Sequence, residues 1–411
     1  MKDKILAHLE DPRQLEKLYR TNKVPFKRDF KTLYPDIRGN KLADFWNERL
    51  NYESDDLHWG TGRELWMVVT LSLLAGLVAK LPLLLSVDGE FFYSRNIGFI
   101  VFPALSVYFA WKNNMSAGKI ALIAVTILAA LLFINFLPNM KKSDTLTLSC
   151  LHLLLFLWGI LGFTFVGGPG NKVKRRLNYL KYNGDLIVMT TLILIAGAIM
   201  SGVTIGLFNL IGLHIEKFYF DYVVVFGLAA VPMVGTFLTQ VNPQLVGRVS
   251  PVIARIFSPL VTVMLIIYLG AIVYSGKDPY QDREFLLIFN VLLIGVMAII
   301  FFSITETSKS RIEIWVLFLL SAITIVVNSI ALSAILFRIS EWGITPNRAA
   351  VLGSNVLILI NLLFVTVRLF RVVSGKSSLS GVGESISWYL PVYFFWTVIV
   401  TFIFPLLFGF K

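Results

Sequence analysis

The chain has 411 residues, of which 56% are hydrophobic and only 15% charged, and its formal net charge is +12 at pH 7. Soluble globular chains carry about 25% charged residues, and a core does not grow fast enough with chain length to hide this much apolar surface from water. That argues against a water-soluble globular protein. The basic residues flank apolar runs or crowd the amino-terminal segment, a placement that fits anionic headgroups better than a nucleic-acid groove.

The amino terminus opens with charged residues such as Lys2, Asp3, Lys4 and His8, and the first long apolar run comes only near Leu65. A cleavable signal is therefore not expected. Residues 1–62 read as a small amphipathic helical module. Ile5 and Leu9 share a helix face, and Asp11-Pro12 is an N-cap followed by proline at the first helical position. Leu15, Leu18 and Tyr19 line the next face. Phe26, Phe30 and Leu33 repeat at i, i+4, i+7, with Pro35 expected to end that helix. Leu42, Phe45, Trp46 and Leu50 form a last stripe. These stripes use up the apolar residues, which favours a bundle lying on the membrane surface. The sharper reading is a docking platform for a protein partner.

A bilayer core needs about twenty apolar residues per helix. Suitable runs lie near 65–86, 97–111, 119–137, 146–167, 186–212, 219–240, 251–274, 285–303, 313–337, 346–370 and 388–410. They predict an all-α polytopic transmembrane bundle of about 11 spans, with a range of 10–12. The second run is short, and is expected to tilt into Phe91 and Phe92 or to be re-entrant. Gly168-Pro169-Gly170 marks the main break. The expected organisation is a cytoplasmic module at 1–62, a first membrane block at 63–167, a basic cytoplasmic loop at 168–185 and a second block at 186–411. Basic residues in short loops set orientation. Lys172, Lys174, Arg175, Arg176 and Lys181, with Lys17, Arg20, Lys23, Lys27, Arg28 and Lys31, favour the amino terminus inside and the carboxyl terminus outside. Lys141 and Lys142 pull the other way, and Arg95, Arg338 and Arg348 are expected in outer loops.

Polar groups inside lipid are costly and so are candidates for function. Lys80 is expected to snorkel from the first span, and Arg255 from the seventh. Glu216, Lys217 and Asp221 look interfacial, and no acidic residue sits at mid-membrane, which weakens a proton-coupled relay. The deep polar residues are Asn290, Asn328, Asn355 and Asn361, read either as interhelical glue or as an ion or substrate site. Counted from the turn at Gly343, Asn328 and Asn361 lie at matching depths of roughly 22–24 Å, and Ser333 and Asn355 at about 15 Å. One of those pairs is expected to bond across the hairpin, and the other to face a different helix or a cavity. Gly202-x-x-x-Gly206 offers a small packing face. Cys150, His8, His58, His152 and His214 form neither a metal set nor a general-base arrangement, and no glycine-rich loop supports a nucleotide. No cofactor is expected.

The most distinctive stretch is Arg338-Ile339-Ser340-Glu341-Trp342-Gly343-Ile344-Thr345-Pro346-Asn347-Arg348. Gly343 can close a helix in a left-handed cap. Thr345 can cap the next helix, with Pro346 at its first position. Arg338 suits the end of a helix, whereas Arg348 at a helix start opposes the dipole and needs a compensating anion. Glu341 is the nearest candidate, and a lipid phosphate or an anionic substrate is the other.

The stretch Phe337–Leu352 resembles an Arg-Ile-x-Glu-aromatic-Gly-Ile/Leu-Thr-x-x-Arg signature of a domain-of-unknown-function family of bacterial multi-pass inner-membrane proteins. Here Trp342 stands where tyrosine is expected, and Ala349 where an aromatic is common. The resemblance implies a bacterial inner-membrane location and lends no catalytic residue. Three functional classes follow: a transport or permease-like protein, a non-transporting scaffold or regulator, and, more distantly, an enzyme acting on lipid-linked substrates.

Overall fold

The computed structural model describes residues 2–52, 60–140, 143–168, 170–210, 213–244, 258–267, 269–270, 283–304 and 311–410. Among the described residues every regular element is a helix. The chain divides into two compact units, Met1–Trp59 and Gly60–Lys411.

The first unit holds α1 (Lys2–Ala7), α2 (Pro12–Thr21), α3 (Lys23–Ile37) and α4 (Lys41–Tyr52). The Asp11 carboxylate accepts from the Arg13 and Gln14 amides, satisfying two of the orphan donors at the start of α2. Ile5, Leu15, Tyr19, Phe26, Phe30, Leu33, Ala43, Trp46 and Leu50 close into one core. At its centre the Trp46 ring lies 5.4 Å from Tyr19 and 5.2 Å from Phe26. Arg49 closes the rim, 2.7 Å from Glu16 and with its guanidinium 4.6 Å over Trp46. Two expectations are corrected. Pro35 does not end α3, which runs on to Ile37; a proline this near a helix end costs only one backbone bond. Phe45 is 59% exposed and leaves the stripe to its neighbours.

The second unit comprises α5 (Gly62–Leu85), α6 (Gly89–Lys112), α7 (Ala117–Phe136), α8 (Asp144–Val166), α9 (Lys172–Leu210), α10 (Glu216–Val241), α11 (Ser258–Ile267), α12 (Arg283–Ile304), α13 (Arg311–Trp342), α14 (Pro346–Val373) and α15 (Leu379–Leu407). Among the described residues eight helices are long and apolar enough to cross a membrane: α5, α7, α8, α9, α10, α13, α14 and α15. Arg255 lies outside the described residues, as do Lys141, Lys142 and His58.

Three differences from the sequence reading have physical causes. First, α6 starts at Gly89, because the Asp88 carboxylate caps the Phe91 amide at 2.9 Å. It thereby draws Phe91, Phe92 and Arg95 into the helix, so Arg95 is not a loop residue. Second, residues 172–185 are not a loop but the opening turns of α9. Asn171 caps the Val173 amide at 2.9 Å, and Tyr179, Tyr182 and Met189 recur at helical spacing as buried residues. Third, the Gly168–Gly170 break does not separate two membrane blocks. The last helix returns to α8: Phe394 and Phe402 meet Phe156 at 5.5 and 5.1 Å, and the Ser149 hydroxyl donates to the Thr401 carbonyl at 2.9 Å. By contrast, Gly202 and Gly206 meet no neighbour within 4 Å, so that small-residue face packs nothing among the described residues.

Candidate functional site

The α13–α14–α15 group places its polar residues at mid-length. Asn328 lies about 26 Å along α13, and Asn355 and Asn361 about 14 and 22 Å along α14. All three side chains are buried. Asn328 Nδ2 donates to the Asn355 backbone carbonyl at 3.0 Å, and Asn361 Nδ2 donates to the Tyr393 hydroxyl of α15 at 3.0 Å. The expected pairing is thus corrected. Asn328 does cross the hairpin, but to a backbone acceptor, while Asn361 turns to a third helix. Ser333 bonds back to the Ile330 carbonyl of its own helix at 2.8 Å. Counting from the turn matched Cα heights, whereas the partner is set by where a side-chain arm meets an acceptor.

This seam is incompletely satisfied. Asn328 Oδ1, Asn355 Nδ2 and Asn361 Oδ1 are buried and make no hydrogen bond among the described residues. Asn290 Oδ1 on α12 is in the same condition. Each unmade buried bond costs about 1–3 kcal/mol. Two acceptors and one donor are therefore presented, with no charge, at the middle of two long apolar helices. At one end of the α13–α14 pair, a cavity of about 440 Å³ is bounded by Arg311, Ile314, Val372, Val373, Ser374 and Gly375.

At the other end of that pair, the distinctive hairpin forms as its sequence implies. Gly343 has φ +75° and closes α13. The Thr345 hydroxyl accepts from the Arg348 amide at 3.4 Å, with Pro346 in the first turn of α14. The charges are arranged differently from expectation. Arg348 Nη1 donates to the carbonyls of Trp342 and Gly343 at 2.9 and 2.7 Å. Its compensating negative charge is thus the carboxyl end of α13. Glu341 is exposed and makes no ion pair with either arginine among the described residues. Both guanidiniums flank the exposed Trp342 ring, Arg338 at 5.7 Å and Arg348 at 5.6 Å.

The first helices hold polar clusters that sequence reading did not single out. The Glu64 carboxylate is buried and accepts from the Tyr108 hydroxyl at 2.7 Å and from Lys112 Nζ at 3.1 Å. The signal was the i,i+4 spacing of Tyr108 and Lys112 on one helix face. Arg95 is only 2% exposed, and its Nη1 donates to the carbonyls of Ile134 and Leu137 at 2.6 and 2.9 Å, closing the end of α7. Beside it, Asn96 and Asn135 exchange two amide bonds of 2.9 and 2.8 Å. Arg175 donates to Asn113 Oδ1 at 2.8 Å and to the Phe165 carbonyl at 3.0 Å, closing α8 in the same way. Lys80 is 7% exposed, with its Nζ 4.1 Å from the ring centroid of the half-exposed Tyr222. His152 bonds the Leu148 carbonyl at 2.9 Å. No group of three metal-ligating side chains occurs among the described residues.

The apolar helical bundle is compatible with a multi-pass integral membrane protein. In comparisons with known proteins, no family model, no curated protein and no solved structure matches the chain.

Proposed function

We propose that the protein is a permease-like membrane protein of about 11 spans that admits a small polar solute at the Asn328–Asn355–Asn361 seam. Its membrane is a bacterial inner membrane, with the amino terminus cytoplasmic and the carboxyl terminus outside. The observation that carries the reading is the set of unsatisfied amide atoms buried at mid-length. A purely structural seam would be expected to saturate its own amides, because orphaned polar atoms in an apolar interior destabilise the fold. A solute offering both a donor and an acceptor, or the water it replaces, completes them. Among the described residues the seam carries no carboxylate, so its recognition is by hydrogen bonding and not by charge.

The test is solvent access to the seam. In a Cys150→Ala background, single cysteines at Asn355 and Asn361 are expected to react with a small hydrophilic thiol reagent. A cysteine at Leu362, which lies in the fully buried apolar core, is expected not to react. If the seam cysteines are as inert as the one at Leu362, the permease reading fails.

One observation favours a second, scaffold reading. The first unit has a core of its own and yet turns Leu6 and Phe45 outward. In that reading these side chains meet a protein partner, and Phe45→Ser removes the cellular phenotype without altering seam accessibility.

A further inference from the structure

We propose that the groove between the start of α5 and the end of α6 is a headgroup site for an anionic phospholipid. The inference rests on the membrane reading and is independent of the polar seam. The groove encloses about 390 Å³ and is lined by Arg63, Trp66, Met67, Thr70, Leu71 and Trp111. Arg63, Trp66, Met67 and Thr70 follow i, i+3, i+4, i+7 spacing, so one face of α5 builds one wall. Trp111, in the last turn of α6, builds the other.

The chemistry is ordered along the helix axis. Trp66 is 73% exposed, and paired tryptophans mark the depth where hydrocarbon meets headgroups. Arg63 stands three residues before Trp66, at the headgroup end. Met67 and Leu71 lie further in, and the Thr70 hydroxyl is turned back onto the Trp66 carbonyl at 2.8 Å, which leaves an apolar lining for an acyl chain.

Among the described residues, the charge at the mouth is uncompensated. The only acidic residue in the first turn of α5 is Glu64, and it faces the interior, where Tyr108 and Lys112 hold it. That contact also consumes the Lys112 charge. Arg63 therefore has no ion pair among the described residues. A guanidinium binds phosphate oxygens two at a time, and it sits here at a helix amino terminus, whose dipole also favours an anion.

Native mass spectrometry of the full-length protein, stripped of lipid in detergent, tests this with phosphatidylglycerol and phosphatidylcholine of identical chains. The wild type is expected to bind phosphatidylglycerol about fivefold more tightly, the worth of one basic residue near an anionic surface. Arg63→Gln should erase that preference, Arg63→Lys should keep most of it, and Lys119→Gln, outside the groove, should keep it all. Thr70→Trp, which fills the groove, should weaken both lipids. Equal binding of the two lipids by the wild type overturns the proposal. So does an equal loss in Lys119→Gln and Arg63→Gln, which would assign the preference to the whole basic end. Displacement of bound lipid by millimolar inorganic phosphate overturns it too, in favour of a free-anion site. A protein that leaves the membrane fraction without detergent would instead defeat the membrane reading itself.

Discussion

The Arg348 guanidinium donates to the Gly343 carbonyl at 2.7 Å, so the first turn of α14 closes the last turn of α13. This one side chain resolves two problems. It neutralises the exposed carbonyls of α13, and it removes the dipole penalty of placing a cation at the start of α14. Arg348→Ala is expected to destabilise the hairpin by about 1–2 kcal/mol, and Glu341→Gln to change stability by less than about 0.5 kcal/mol. Detergent melting temperatures of the two variants check this. A larger loss in Glu341→Gln would restore the carboxylate as the partner.

Ile344 and Lys376 bracket α14, and both are exposed. If the amino terminus is cytoplasmic, an impermeant thiol reagent added to intact cells should label a cysteine at Ile344 and spare one at Lys376, in a Cys150→Ala background. The reverse pattern would invert the orientation.

Asn328 holds one satisfied and one orphaned amide atom. Asn328→Leu removes both the bond, worth about 0.6–2 kcal/mol, and the buried unpaired oxygen, which costs about 1–3 kcal/mol. Stability is therefore expected to stay level or rise slightly, while the cellular phenotype is lost. A variant that melts normally and complements fully would show that the orphaned oxygen serves no function.

Gly353 faces Trp396, and a Cβ there would clash with the six-membered edge of the indole ring. The ring cannot simply move away, because its Nε1 donates to Ser354 Oγ at 2.9 Å. Gly353→Ala should destabilise the α14–α15 contact by about 1–3 kcal/mol, and adding Trp396→Phe should recover part of the loss. Thermal melts of the single and double variants decide the matter.

In the first unit, the hydrogen bond from Arg20, with the Arg49 bond and charge behind it, holds the Glu16 carboxyl below its ordinary value of 4.5. A group whose folded pKa is depressed stabilises above its unfolded pKa, and that stabilisation is lost as pH falls through the folded value. The first unit should therefore lose stability below about pH 4.5, and Glu16→Gln should flatten the dependence. Hydrogen exchange of the α2 and α4 amides in wild type and variant, at matched pH, measures the difference. Identical profiles would remove Glu16 from the effect.

Sequence by itself determined the helical class and most of the long helices, because a run of apolar side chains reports directly on the solvent that must surround it. It also determined the hairpin caps at Gly343, Thr345 and Pro346, since those residues act through local backbone geometry. It misread Lys172–Asp185 as a loop, because charge hid a helical spacing that only buried tyrosines reveal. What tertiary structure alone decided is who meets whom. Asn328 reaches a backbone carbonyl, Arg348 passes over Glu341 for two helix-end carbonyls, and Phe394 brings the last helix onto α8. Backbone acceptors are the same at every residue and leave no trace in sequence. Contacts between distant helices depend on packing angles that no single helix encodes. For that reason the candidate residues were legible one by one, and their unsatisfied atoms were not.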